Sequence, residues 1–280
     1  MSSFRSRFPM RMSYSQAGIF ILLTLFLISG PWLGWVYFQR IIMLKQSDPR
    51  FKVIAISQSN TKMEFLDTAY LAELLELSTD RPINLYRFNT QEAEKILEKE
   101  PLIKKATVSR IPPGTLLIDA TIRMPKVFLG NFSNMAIDAE GVLIPFKPFF
   151  TPKRLPEIIL EEKEVQGLHW GNKLESASFN LAMDVLQAIQ QDSSALSVKL
   201  IDMKHAFSTQ YGQKEIIVVV EKDFQDASIP KIHYLRLSTK NFKQELSYYG
   251  ALFQHLDLEM LKSISIIDLR VPETAYLITH

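Results

Sequence analysis

Pro101 to Pro125 reads PLIKKATVSRIPPGTLLIDATIRMP, and the reading of the fold grows outward from it. Leu116 to Arg123 alternates strictly: Leu116, Ile118, Ala120 and Ile122 share one face, and Leu117, Asp119, Thr121 and Arg123 share the other. That is the period of a strand with one side buried. Lys105 to Arg110 reads as a second strand, Pro113-Gly114 supplies the turn between the two, and Pro101 stops the helix expected before them.

Further upstream, FKVIAI at Phe51 to Ile56 reads as strand, and Asp67 is placed to cap a helix carrying Leu71, Leu74 and Leu75 on one face. After a turn at Asp80 to Pro82, Asn89 with Glu92 three residues on fits a capping arrangement for a helix that buries Ala93, Ile96 and Leu97. Residues 50–125 therefore run strand, helix, helix, strand, strand, which predicts α+β packing of a small sheet with helices on one face.

Downstream, Asp138 to Val142 (DAEGV) reads as a turn between strands, and Leu155 to Ile158 follows. A helix from Lys173 to Gln190 presents Leu174, Ala177, Leu181, Val185 and Ile189, and strands follow at Leu196 to Met203, Glu215 to Val220 and Lys231 to Leu237. A second helix, Asn241 to His255, presents Phe242, Leu246, Tyr249 and Phe253. The chain closes on SISIIDLRVPETAYLITH: a strand through Arg270, a turn at Pro272 to Thr274, and another apolar run from Ala275 to Ile278. Residues 126–280 are expected to form a mixed β domain with two helices. Its last segment reads as an open strand edge, which proteins normally blunt.

The chain has 280 residues, 47% of them hydrophobic, and no cysteine, so it has room for two cores and holds no disulfide or thiolate site. Its net charge is +2, but Arg5, Arg7 and Arg11 all lie in the first sixteen residues; without them 29 Lys and Arg face 30 Asp and Glu. The rest carries no basic excess for nucleic acid. From Met12 to Gln39 no residue is charged, and Ala17 to Phe38 has the length of the roughly 20 apolar residues that cross a bilayer, with Trp32, Trp35 and Tyr37 near one end. Residues 17–38 are thus expected to be a transmembrane helix held in the lipid bilayer, with residues 1–16 as a cytoplasmic tail by the positive-inside rule and the remainder delivered to the other side. Gly30 and Gly34 form a small-xxx-small pair suited to helix packing.

Signs of chemistry are missing. No Gly-x-Gly-x-x-Gly, P-loop or Gly-x-Ser-x-Gly occurs, and the five histidines are scattered singly without a His-Glu-x-x-His. The sequence predicts no catalytic, cofactor or metal site. The acidic run Glu161, Glu162 and Glu164 reads as a solvated loop.

The set Pro101, Ile103, Ala106, Val108, Arg110, Pro113, Thr115, Leu116 and Ile118, followed by Arg123 and Pro125, resembles the POTRA domain of the FtsQ/DivIB family of bacterial cell-division proteins. The order of the later elements and Ile267 to Arg270 (IDLR) resemble that family's C-terminal β domain. The chain departs from the pattern at Val271, where an aromatic is usual, and at Leu237-Ser238, where Leu-Gly is common. The resemblance implies a non-enzymatic scaffold of the divisome at the inner membrane and septum, with the C-terminal domains periplasmic. It would bind FtsB- and FtsL-like bitopic proteins and other divisome components, and regulate septal peptidoglycan synthesis. It further implies partner binding along the last strand, at Val271, Glu273, Ala275, Tyr276, Leu277, Ile278 and Thr279. The alternative is a membrane-anchored POTRA module that chaperones secreted or outer-membrane polypeptides, since POTRA domains serve both.

Overall fold

The structure is a computed structural model, and it describes residues 14–59, 65–192, 196–210, 212–222, 232–257, 260 and 263–279. The expected tail as far as residue 13 lies outside the described residues, as does the side chain of Phe253. The elements in order are α1 (Tyr14–Ser47), β1 (Ala55–Ser59), α2 (Thr68–Leu74), α3 (Thr90–Lys99), β2 (Ile103–Ile111), β3 (Thr115–Ile122), β4 (Val127–Leu129), β5 (Met135–Ile137), β6 (Leu143–Pro145), β7 (Glu157–Ile159), α4 (Glu162–Val165), α5 (Ala177–Asp192), β8 (Leu196–Asp202), β9 (Ile216–Lys222), β10 (Ile232–Leu237), α6 (Phe242–His255), β11 (Ile264–Asp268) and β12 (Tyr276–Thr279). They divide into two compact units. One gathers the described residues up to Ser59 with Thr68–Ala93 and Thr107–Ile118; the other gathers those of Asn60–Asp67, Glu94–Ala106 and Asp119–His280.

The expected transmembrane helix is not borne out. A helix does form, but α1 runs on to Ser47, and among the described residues no helix is long and apolar enough to cross a membrane. Beyond the run read from the sequence the helix continues through the polar Gln39, Arg40, Lys45 and Gln46. The end of α1 is fixed by protein instead. Its last carbonyls have no partners inside the helix, and Asn84 Nδ2 donates to Lys45 O at 3.0 Å and Asp48 O at 3.1 Å, while the Lys45 ammonium lies 5.1 Å from the Tyr86 ring centre. Gly30 and Gly34 face open space: a Cβ added at either meets nothing within 4 Å.

The hairpin that opened the reading is present. β3 buries Leu116, Ile118, Ala120 and Ile122, and a three-stranded sheet runs β1-β3-β2. In α3 the expected cap forms, with Glu92 N–H donating to Asn89 Oδ1 and Asn89 Nδ2 donating to Glu92 Oε2, both at 3.3 Å. Ala93 and Leu97, one turn apart, define the buried stripe, so Ile96, expected inside, stays 37% exposed. Phe51 is not in a strand: Pro49–Phe51 is a single 3₁₀ turn, capped by Asp48, whose carboxylate accepts from Arg50 N–H at 2.9 Å. The first strand begins only at Ala55.

The second unit is built on a nine-stranded sheet in the order β12-β11-β10-β9-β8-β7-β4-β5-β6. It is mixed: β4 with β7, β7 with β8 and β10 with β11 are parallel, the last pair joined by the α6 crossover, and the other pairs are antiparallel. The core joins Val218, Val220, Leu235, Leu237 and Ile267 of the strands to Val185 and Ile189 of α5 and Leu246 and Tyr249 of α6. Buried Tyr249 lies 3.1 Å from Nδ1 of buried His233, oxygen to nitrogen, and burial pushes the phenol well above its usual range. Two expectations shift. α5 starts at Ala177 because Lys173 bridges Val142 and Leu174 N–H donates to Gly141 O at 2.8 Å, which holds that segment extended. The acidic run is no loop: it enters the short helix α4, where the Glu164 carboxylate accepts the hydroxyls of Ser176 and Ser178.

Candidate partner-binding site

β12 forms one end of the nine-stranded sheet. It reaches that place through a four-residue turn in which Thr274 N–H donates to Val271 O at 3.2 Å, with Pro272 second and Glu273 third at φ +58°. A positive φ at the third position is the type II pattern, which favours glycine or asparagine.

The turn is anchored by charges gathered from three parts of the chain. Asp268 accepts from Arg270 Nη2 at 2.7 Å, Arg270 Nε at 2.9 Å and Arg236 Nη1 at 3.2 Å. Glu215 accepts from Arg236 Nη2 at 2.6 Å and Arg270 Nη1 at 3.2 Å. Burial works to raise the Asp268 carboxyl, but the hydrogen bonds and charge of Arg270, with the charge of Arg236, outweigh it and hold Asp268 below the usual carboxylate range. The Arg270 guanidinium is shifted upward, first by its hydrogen bond to Asp268. Two acids and two bases therefore lock the exit of β11, and the hairpin starts from a fixed base.

β12 then pairs antiparallel with β11, Asp268 opposite Tyr276, Ile267 opposite Leu277 and Ile266 opposite Ile278, with an irregularity between Ile264 and Ile266. Ile278 O accepts from Ser265 Oγ at 3.2 Å, so the Ile278 main chain faces β11. By the alternation of a strand, the N–H and C=O groups of Leu277 and Thr279 point to the open side. Side chains divide the other way. Ala275 and Leu277 pack against the core, whereas Tyr276 at 55% and Ile278 at 44% stand exposed. Val271 is 44% exposed at the turn, and Glu273 and Thr279 are exposed.

The seven residues expected from the resemblance thus lie on one hairpin with different parts to play. What the sequence missed is the face beside them. Ile278, Ile266, Tyr234, Val219 and Leu200 stand in register across five strands on the side away from the helices, an apolar row that only the pairing reveals. The opposite end of the sheet is closed: Leu143 N–H donates to Asn172 O at 2.9 Å and Gly171 N–H donates to Leu143 O at 2.8 Å, so β6 already has a neighbour.

In the first unit, Val53, Ile54, Ile56, Ala72, Leu77 and Ile83 line an open, mostly apolar groove of about 440 Å³ between β1 and α2. Among the described residues no cluster of His, Cys, Asp or Glu could hold a metal ion. No curated protein matches the chain. The model of the POTRA domain, FtsQ-type, matches residues 55–121, which takes in both helices and the hairpin of the three-stranded sheet. Residues 55–121 thus match the POTRA domain of the FtsQ type, a protein-interaction domain, and this match supports a protein of the FtsQ/DivIB family.

Proposed function

We propose that the chain is a non-enzymatic scaffold of the bacterial divisome that acts at the division septum. It joins FtsB- and FtsL-like partners to other division proteins and so regulates septal peptidoglycan synthesis. The FtsQ-type POTRA domain supports the cell-division role. The observation that carries the mechanism is the open side of β12: an extended partner segment adds there as a tenth strand through the main chain of Leu277 and Thr279, with Tyr276 and Ile278 available to its side chains. Main-chain pairing does not depend on particular side chains. A hairpin that departs from the family at Val271 retains the same edge.

The test is a binding measurement with the full chain, offering it an FtsB-like segment and an unfolded outer-membrane polypeptide in parallel. Saturable binding of the first alone supports the scaffold reading. Binding of the second alone would favour the chaperone reading instead.

A further inference from the structure

At the far side of the same sheet, Phe128, Phe132, Phe146, Gly130, Lys147 and Glu157 line a pocket of about 510 Å³. Its walls are set by two asparagine clamps. Asn131 donates to Leu160 O and accepts from Leu160 N–H, both at 3.0 Å, and Asn134 donates to Lys147 O at 3.0 Å and accepts from Lys147 N–H at 2.7 Å. Each amide behaves as a piece of neighbouring strand, so the pocket is preformed. Its aromatic side is equally ordered: Phe128 and Phe146 meet edge to face at 4.8 Å, and Phe146 stacks on Phe150 at 5.7 Å.

Into this pocket, whose lining also holds the polar Asn131, Ser133 and Asn134, the register of β4 and β7 delivers a carboxylate, since Glu157 stands opposite Phe128. It lies against Gly130 so closely that a Cβ added there would come within 2.2 Å of its Oε1. Among the described residues Glu157 has no ion pair and accepts no side-chain hydrogen bond, although it is half-buried. A half-buried carboxylate beside aromatic faces is the complement of a cation with an apolar stem, which gains both from the charge and from the rings. The protein shows half of that pairing in itself, with the Lys153 ammonium 5.7 Å from the Phe150 ring centre. Among the described residues that line the pocket, exposed Lys147 is the one of opposite charge.

We propose that this pocket receives a basic side chain, lysine or arginine, of a polypeptide partner, anchored on Glu157 and stacked on Phe132 and the accessible part of Phe128, with buried Phe146 behind them. The site is separate from β12 and does not depend on the edge-strand reading.

The probe is N-acetyl-L-arginine amide, titrated into the ¹⁵N-labelled full chain while the amides of Gly130, Phe132 and Glu157 are followed, with N-acetyl-L-norleucine amide as the uncharged control. Saturable shifts are expected with arginine and not with norleucine. Glu157→Gln, close in shape, is expected to weaken binding by at least about tenfold through loss of a charge-assisted bond. Phe132→Ala should weaken it by about threefold through loss of an exposed cation–π contact, with distant amides unmoved in both variants. Lys147→Ala is expected to leave binding unchanged or tighter. Equal shifts with norleucine, wild-type affinity in Glu157→Gln, or loss of binding in Lys147→Ala would each overturn the proposal, the last by pointing to an anion.

Discussion

Two substitutions on adjacent residues of β12 separate what the strand does for the fold from what it offers a partner. Thr279→Pro removes an N–H that by strand alternation points away from β11, from a residue whose side chain is exposed and which stands opposite Ile264 at the end of the ladder, so the pairs at Ile266, Ile267 and Asp268 are left in place. Ile278→Pro removes the N–H that points toward β11 and breaks the ladder at the Ile266 pair. Leu277 also faces the open side with its main chain, but it packs against the core, so a change there mixes the two effects. If an extended segment adds to the edge, Thr279→Pro deletes one intermolecular hydrogen bond and leaves the partner's carbonyl without a donor. That costs about 1–3 kcal/mol, or roughly fivefold to more than a hundredfold in Kd. Its urea midpoint is expected to stay near wild type, while Ile278→Pro lowers the midpoint by a comparable energy. Fluorescence anisotropy of a labelled FtsB-like segment, with a denaturation curve for each variant, reads both quantities. A folded Thr279→Pro chain that binds with wild-type affinity would refute pairing at this edge.

The turn and the charges behind it give further expectations. Glu273→Gly relieves a left-handed backbone at φ +58° and should raise stability by up to about 1 kcal/mol, seen as a higher urea midpoint at unchanged slope. Asp268 is held below its unfolded value of about 3.9, so its contribution is complete above that pH and is lost as pH falls through the lower folded value. Stability measured from pH 6 down to pH 2 should therefore fall less steeply in Asp268→Asn than in wild type. Tyr249→Phe withdraws a hydroxyl from buried His233 and should cost about 1–3 kcal/mol on thermal unfolding, with the POTRA domain unaffected.

What the sequence made legible was local. The alternation of Leu116 to Ile122 and the Asn89–Glu92 cap depend on neighbours a few residues away, and both stand as read. The side of an element could fail at the margin, as at Ile96, because a stripe set by Ala93 and Leu97 leaves a residue between them half outside. Strand order was not legible. The parallel pairing of β4, β7 and β8 joins segments separated by loops and by α5, and no local period reports it. The charge group of Glu215, Arg236, Asp268 and Arg270 was hidden for the same reason, since each residue alone reads as an ordinary charged position in or beside a strand. The apolar run at 17–38 misled in the other direction: a window taken alone could not show that the helix continues to Ser47 and ends on Asn84.

The closed β6 end has a consequence for how many molecules can meet. A sheet open at both ends can be extended indefinitely by copies of itself, as fibres are. Here one end is already occupied by the chain's own backbone around Gly171 and Asn172, so the nine-stranded sheet has a single valence. Among the described residues, extension of this sheet is therefore directed to the β12 side, and a chain with a strand on β12 cannot pass the sheet on through its own β6 end.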